Sequence, residues 1–504
     1  MEVKTRVMTT QNGKVRGYEE AGLFYFKGIP YGASCDGRYR FLPPRPAERW
    51  EGEYDCTRNG AYAVQPACGV CASPRYGHYF SAGNPKRFGC DEEKQDENCL
   101  VLNIVTPTLG ATRLPVLVYI HGGGYAAGNG SIILGADTFV KEQGIVAVSI
   151  NHRLGVFGYL NLEEYDEKYQ SSSMAGIYDL KLALEWIRDN IAGFGGDPSN
   201  ITLMGESGGA SKIRHLLEMK GTEDLFDKAI LESGTYGIEK DPTRSRKITK
   251  GIFSSLGIQT VQELLEKPAS EIEEAARPYL FQISPVADDL SIIRKAAGKF
   301  GSANAVRQKK ILIGFSEDEA NIDWKKETVT AENLPLLLSS PQTRPPMALS
   351  QKTYTREEAE GILQRYVKCM GHFSDEELYW KVSSLMGIGV QTASFIAERM
   401  HFAAESTYVY YNRYKAPFWG DETIKFSWHT SDLPLQFRIV PFEEGEQISA
   451  QLGQYWGSFV RNGKPEGAME WPEYTLEDAR VMFFDRQLSV RNFSMESYML
   501  IMGV

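Results

Sequence analysis

Apolar runs of three to six residues recur along the middle of the chain, and their period assigns them. Positions 116–120 (Val-Leu-Val-Tyr-Ile) and 145–150 show no polar alternation. Strands covered on both faces read this way. Positions 201–204, 229–231 and 311–313 repeat the signal. Between two of these runs, Leu182, Ala183, Trp186, Ile187 and Ile191 recur at helical spacing, which predicts a helix over 179–192. Strands alternating with helices imply right-handed crossovers and a mostly parallel sheet.

The ends differ from the middle. Residues 7–10, then Asn12-Gly13, then Val15 predict a hairpin with a type I′ turn, followed by a short strand at 23–26. Gly28-Ile29-Pro30-Tyr31-Gly32 and the proline-rich 42–46 are expected to break regular structure. Residues 1–60 therefore read as a small β-meander. Residues 60–98 lack periodicity and are rich in Gly, Pro and Cys, as a long surface loop would be. Residues 320–405 look helical. Thr355 with Glu358 and Ser374 with Glu377 are capping boxes, and Ala359, Ile362, Leu363, Tyr366, Val367 and Met370 form an apolar stripe after the first. This block is read as a helical cap over the sheet. Strands return at 408–411 and 481–484. No linker or repeat divides the chain, so 1–504 is expected to be one α/β domain.

Composition narrows the functions. Fifty-five Lys and Arg against 65 Asp and Glu give a net charge of −10, which argues against nucleic acid as a partner. No apolar run reaches the roughly 18 residues that span a bilayer. The start, Met1-Glu2-Val3-Lys4-Thr5-Arg6, carries no secretory pattern, so a cytoplasmic protein is expected. Seven cysteines do not make a disulfide scaffold, and the odd number leaves at least one thiol unpaired within the chain.

The chemistry concentrates in Gly205-Glu206-Ser207-Gly208-Gly209, which follows the 201–204 strand and precedes a helical stretch. A nucleophilic serine needs a strained strand-to-helix turn, and flanking glycines let the backbone pack there. His121-Gly122-Gly123-Gly124 ends the 116–120 strand. Its backbone N–H groups suit an oxyanion, whereas a phosphate loop would continue with Lys-Ser/Thr and not with Tyr125-Ala126-Ala127. Where serine sits on such a turn, an acid and then a histidine follow it. Of His215, His372, His401 and His429, the first shares the serine's helix and points away. The next two lie in or beside helices. His429 lies in a loop, Trp428-His429-Thr430-Ser431-Asp432-Leu433-Pro434, and is the candidate base. The 311–313 strand runs into Glu317-Asp318-Glu319, any of which fits the acid.

These motifs, with Glu97-Asn98-Cys99-Leu100-Val101-Leu102-Asn103 and Asn151-His152-Arg153-Leu154-Gly155, resemble the type-B carboxylesterases, the cholinesterase-like branch of the α/β-hydrolases. The likeness covers about residues 5–485 and is strongest to the bacterial para-nitrobenzyl esterases, which have a similar length. It implies an α/β-hydrolase fold and a serine carboxylesterase working through an acyl-enzyme on small to medium apolar esters. It implies Glu319 as the acid, although Ala320 replaces the family's glycine, and His429 as the base. Gly123, Gly124 and Gly208 become the oxyanion donors, with Gly208 where the family usually has alanine. Glu206 becomes the buried glutamate beside the nucleophile, and Ser233 a supporting serine. Salt bridges Arg40–Glu97 and Arg153–Asp179 are implied. Cys99 matches a cysteine that pairs in secreted members, with Cys68 or Cys71 as partner; in a reducing cytosol free thiols are expected. The spacing of Cys68, Cys71, Cys90 and Cys99 does not suit zinc.

The mechanism so implied needs no metal and no cofactor. The partner is a small-molecule ester, and the chain is expected to be a monomer or small homo-oligomer. Amides, carbamates and lipids are alternative substrates. A non-catalytic binding role is disfavoured because all three triad positions are filled. Choline esters are not expected, since 68–99 contains no Trp; Tyr76, Tyr79, Phe80 and Phe88 could line an apolar gorge instead.

Overall fold

The apolar runs of the middle of the chain form the parallel centre of one large sheet. The computed structural model describes residues 4–66, 94–292, 305–320, 328–340, 343–344, 352–401, 406–418 and 421–503. In chain order the strands are β1 (Lys4–Thr10), β2 (Gly13–Glu20), β3 (Leu23–Pro30), β4 (Glu53–Asp55), β5 (Val101–Thr106), β6 (Leu114–Ile120), β7 (Val146–Ile150), β8 (Gly196–Glu206), β9 (Lys228–Glu232), β10 (Lys310–Ser316), β11 (Thr407–Asn412), β12 (Ala416–Phe418), β13 (Asp421–Phe426), β14 (Arg480–Phe484) and β15 (Ser489–Asn492). The large sheet has the order β1-β2-β3-β5-β7-β6-β8-β9-β10-β11-β14-β15, with β4 beside β2. From β7 through β14 every neighbouring pair is parallel. The β1-β2-β3 meander and β15 add antiparallel edges.

The continuous apolar runs conceal a period of two. Val116, Val118 and Ile120 face one core layer, and Leu117 and Tyr119 face the other. Both faces are buried, so no position needs to be polar. Helix α1 (Ala175–Asn190) covers one face with Leu180, Ala183, Leu184, Trp186 and Ile187. It starts four residues before the expected 179, because Met174 at its N-cap gives no side-chain cap and hence no signal in the sequence.

Two local expectations are corrected. Thr10 pairs with Gly13, so the first hairpin turns on Gln11-Asn12, and neither has positive φ. It is not a type I′ turn. The Asn12 amide is occupied elsewhere, donating to the Ala47 carbonyl and accepting from Trp186 Nε1. Strand β3 also runs on through Gly28 to Pro30. Gly28, at φ 65°, takes up a register shift between Phe26 and Ile29, and its N–H goes to Asn103 Oδ1. The glycine makes a bulge rather than an end.

In the helical block, both capping boxes form at the starts of α3 (Arg356–Met370) and α4 (Asp375–Ser384). Ala359, Ile362 and Tyr366 are buried, with Leu363, Val367 and Met370 packed at the margin. Helix α2 (Gly208–Glu218), discussed below, precedes them, and α5 (Glu446–Asn462) covers the opposite core layer. The cysteines at 68, 71 and 90, and Tyr76, Tyr79, Phe80 and Phe88, lie outside the described residues. Cys99 is a buried free thiol. Among the described residues no helix is long and apolar enough to cross a membrane.

Candidate active site

In an open parallel sheet the strand carboxyl ends share one edge, where ligands bind. Strands β6, β8, β9 and β10 are consecutive neighbours, so His121–Gly124, Ser207, Ser233 and Glu319 all emerge on that edge. Ser207 occupies the single residue between β8 and α2, at φ 55° and ψ −123°. A non-glycine side chain rarely adopts that backbone, and it persists only where its surroundings enforce it. Here the Ser207 N–H donates to the Glu232 carbonyl at 2.8 Å, and its own carbonyl accepts from Ser211. A Cβ on Gly209 would lie 2.1 Å from the Ile120 carbonyl, so the helix can begin this close to β6 only with glycine there.

Glu319 and His429 meet although 110 positions separate them, with Nδ1 2.5 Å from Oε2. Both are buried. Ladder-like bonds draw their segments together. Glu317 N–H donates to the Asn412 carbonyl at the end of β11, and Asp318 N–H to the Ser427 carbonyl. Ser427 N–H returns to Asp318 Oδ2, and Ser427 Oγ donates to the Asn412 carbonyl. From the other side, Lys381 on α4 pairs with Glu317 at 2.8 Å and Asp318 at 3.3 Å, and Ser384 Oγ accepts from Ala320 N–H. Arg413 also pairs with Glu317. Of the three candidate acids, two are tied into this scaffold and Glu319 alone reaches the imidazole.

The Ser207 hydroxyl is not hydrogen-bonded to that imidazole. His429 Nε2 instead lies 3.3 Å from Glu206 Oε1, without the alignment of a hydrogen bond. Glu206 is buried beside the elbow as expected. Burial, then the negative charges of Glu319 and Asp432, raise its carboxyl well above the usual range. Its charged form is thereby disfavoured.

Gly123 (φ 80°) and Gly124 (φ 62°) are successive left-handed residues after β6. A Cβ on Gly208 would lie 2.2 Å from the Gly124 carbonyl oxygen. Glycine at 208 thus lets the three expected donors come together more tightly than alanine would. Ser233 is buried with φ 51°, and its N–H donates to the Gly314 carbonyl. Its chain neighbours touch the elbow: the Glu232 carbonyl accepts from the Ser207 N–H, and a Cβ on Gly234 would strike the Ser207 carbonyl at 2.0 Å.

The rejected histidines have other partners. His215 Nε2 is 2.7 Å from Tyr125 Oη, His401 Nδ1 is 2.7 Å from the Ala397 carbonyl, and His372 is exposed. Both implied salt bridges form. Arg40 grips Glu97 through Nε and Nη2 at 2.7 and 2.6 Å, and Arg153 grips Asp179 at 2.9 and 2.6 Å.

Two groups of the site escaped the sequence reading. Asp432 is buried three residues beyond His429, and burial, then the charge of Glu319, pushes its carboxyl up to about 7. It stood within the histidine loop, but nothing in the pattern told a buried acid from a solvated one. Lys212 sits on α2 behind the glycine loop; a lone Lys in a helix ordinarily signals an exposed face.

Together the sheet order, the helices on both faces, the serine elbow and the acid–histidine pair define an α/β-hydrolase. The family model of the carboxylesterase family matches residues 4–500, and the chain belongs to that family of serine ester hydrolases. The chain is 29% identical to the para-nitrobenzyl esterase of Bacillus subtilis (strain 168), over 97% of this chain and 96% of that protein. The solved carboxylesterase of Geobacillus stearothermophilus superposes with a TM-score of 0.79 at 28% identity, covering 98% of this chain and 99% of that one. An esterase of Clostridium hathewayi described as hydrolysing aliphatic aromatic polyesters gives a TM-score of 0.76 at 26% identity, covering 99% of each chain.

Proposed function

We propose that Ser207, Glu319 and His429 form the catalytic triad of a carboxylesterase for small to medium apolar esters, acting as one α/β-hydrolase unit. The observation that carries this is the buried 2.5 Å bond from His429 Nδ1 to Glu319, formed on the sheet edge that also presents the Ser207 elbow. Glu319 fixes the tautomer with hydrogen on Nδ1, which leaves Nε2 free to accept a proton. Its other oxygen takes the Ser316 N–H at 2.6 Å, so the carboxylate cannot swing away.

In the reaction, Nε2 turns from Glu206 to Ser207 Oγ as substrate enters; such bonds commonly tighten only once substrate is bound. His429 takes the hydroxyl proton as Oγ attacks the ester carbonyl. The N–H groups of Gly123, Gly124 and Gly208 stabilise the tetrahedral oxyanion. His429 then protonates the departing alcohol, and a water activated by the same imidazole releases the acid. Burial disfavours the charged form of Glu206, and this supports the sequence because it works against a second negative charge beside the developing oxyanion.

The apolar preference rests on Phe281. This ring is 73% exposed, and its Cδ1 is the nearest atom that a side chain on Gly124 would meet, at 4.0 Å. A large aromatic left open beside the oxyanion loop favours a neutral apolar group on the substrate. The buried free thiols of Cys35, Cys56 and Cys99 support a cytoplasmic setting, and the likeness over nearly the whole chain to the Bacillus subtilis and Geobacillus stearothermophilus enzymes supports a bacterial one.

A panel of para-nitrophenyl esters from acetate to laurate tests the reading. Ser207→Ala is expected to abolish turnover and labelling by an aryl phosphonate while the melting temperature stays near wild type. Turnover by that variant within tenfold of wild type would overturn the nucleophile assignment.

A further inference from the structure

A charged side chain buried without an opposite charge is costly, and it persists where it does something the fold alone does not require. Lys212 is such a group. It lies five residues after Ser207 on α2, about 7.5 Å further along the helix axis, and is fully buried. Its Nζ donates to the carbonyl of His121 at 3.1 Å and lies 5.9 Å from the centre of the Tyr125 ring. Three histidines surround it. His121 and His152 stack with ring centres 4.6 Å apart, and His215 bonds Tyr125. Burial first, and then Lys212 itself, lower the basicity of His121 and His152; in His215 the Arg214 charge acts between the two. The two glutamates nearest in sequence, each six residues away, have other neighbours: Glu218 is paired with Arg214, and Glu206 lies beside His429. Among the described residues no carboxylate pairs with its Nζ, and burial alone pulls the amine down to about 7.

The atom it holds is significant. The His121 carbonyl belongs to the peptide that leads into Gly122, and the next two peptides present the N–H groups of Gly123 and Gly124. These glycines have no side chains to fix them, and two of the three have positive φ. Glycine loops of this kind have many backbone conformations to lose. A hydrogen bond from the buried Lys212 amine, which can donate whether charged or neutral, removes that freedom at its root.

We propose that Lys212 is a positioning residue of the oxyanion loop, clamping the His121 carbonyl so that the Gly123 and Gly124 N–H groups stay aimed at the reacting carbonyl. The proposal rests on the triad and oxyanion assignments above. The clamp is a hydrogen bond, so it acts on the transition state, where the oxyanion develops, and leaves ground-state binding of the ester nearly unchanged. The substrate never touches Lys212.

The variants are Lys212→Met, which keeps the length and loses the donor, and Lys212→Gln, which keeps a neutral N–H donor. Each is assayed for kcat and KM on para-nitrophenyl butyrate, for inhibition by an alkyl trifluoromethyl ketone, and for melting temperature. The ketone forms a hemiketal whose oxyanion occupies the same hole. Lys212→Met is expected to lower kcat by about 10- to 100-fold, below the roughly 10² to 10³ for losing a donor outright. KM should stay within about twofold, and ketone affinity should fall by the same factor as kcat. Its melting temperature should hold or rise, since a buried amine whose charged form is disfavoured has been replaced by an apolar group of similar volume. Lys212→Gln should recover most of kcat and of ketone affinity. A purely structural lysine would give the opposite pairing, with kcat and melting temperature falling together and no rescue by glutamine, and that result overturns the proposal. So does wild-type kcat and ketone affinity in Lys212→Met. Failure of the triad reading is distinguishable, because Ser207→Ala would then remain active whatever position 212 does.

Discussion

Three acids in a row follow β10, and the geometry predicts that they differ sharply in consequence. Glu319→Gln keeps the shape and the buried site, and Gln Oε1 can still accept the Ser316 N–H now held at 2.6 Å. The amide NH2 then faces His429 Nδ1, where the carboxylate oxygen now sits at 2.5 Å. Two donors cannot share that contact, so the imidazole moves its hydrogen to Nε2. The nitrogen that should take the serine proton is then blocked. Loss of this kind costs about 10⁴ in kcat in a serine protease, equivalent to roughly 5.5 kcal/mol of barrier. A fall of about 10³ to 10⁴ is expected here, with KM little changed. The controls are Glu317→Gln and Asp318→Asn. Glu317 pairs with Lys381 and Arg413, and Asp318 accepts from Lys381 and the Ser427 N–H. Their loss loosens the scaffold, at about 1–3 kcal/mol of stability, and should leave kcat within about tenfold. The assay is para-nitrophenyl butyrate hydrolysis on folded variants matched by circular dichroism. If Glu319→Gln keeps more than a tenth of the wild-type kcat, or if Asp318→Asn falls further than it, the acid has been misassigned.

Two further predictions concern stability. Arg153→Met strands the fully buried Asp179, which would keep only its bond from the 153 backbone N–H of its present set with that residue. A cost of about 3–5 kcal/mol follows, or roughly 3–5 °C in melting temperature for a chain of this length, and Arg153→Met with Asp179→Leu should regain most of it; an unshifted single variant refutes the argument. Asp432 is held near 7 in the fold against 3.8 in the unfolded chain. The folded state therefore binds more protons between those values, and stability falls as pH rises through the window, by up to about 1.4 kcal/mol per pH unit. Glu206, Glu232, Glu319 and His429 act on the same group or neighbour it, so Asp432→Asn should flatten this slope rather than remove it. A slope identical in wild type and variant, read from melting temperatures at pH 4.5 to 7.5, would exclude Asp432 as its source.

What could be read in the sequence, and what could not, follows from how far each signal reaches along the chain. The central strands were legible because burial on both faces removes every polar residue from 116–120 or 311–313, a purely local mark. The elbow was legible for a similar reason: glycines at 205 and 209 are forced by a helix starting against β6, and both lie within two residues of the serine. The caps at Thr355 and Ser374 are closed within three residues. The failures share the converse property. Gly28 looked like a strand end because its bulge is satisfied by Asn103, 75 positions away. Asn12 looked like a turn centre because its true partners, Ala47 and Trp186, are remote. The acid could be narrowed only to three neighbours, since the choice is made by the angle at which Ser427 and Lys381 pin the loop. Lys212 is the extreme instance. All eleven residues of α2 are buried, so the helix has no exposed face to which a lysine's presence could point. Its meaning exists only in the carbonyl it meets 91 positions back along the chain. Residues whose roles are fixed by distant atoms leave no local pattern, whether in the N-terminal meander or behind the glycine loop after β6, where strands far apart in sequence end side by side.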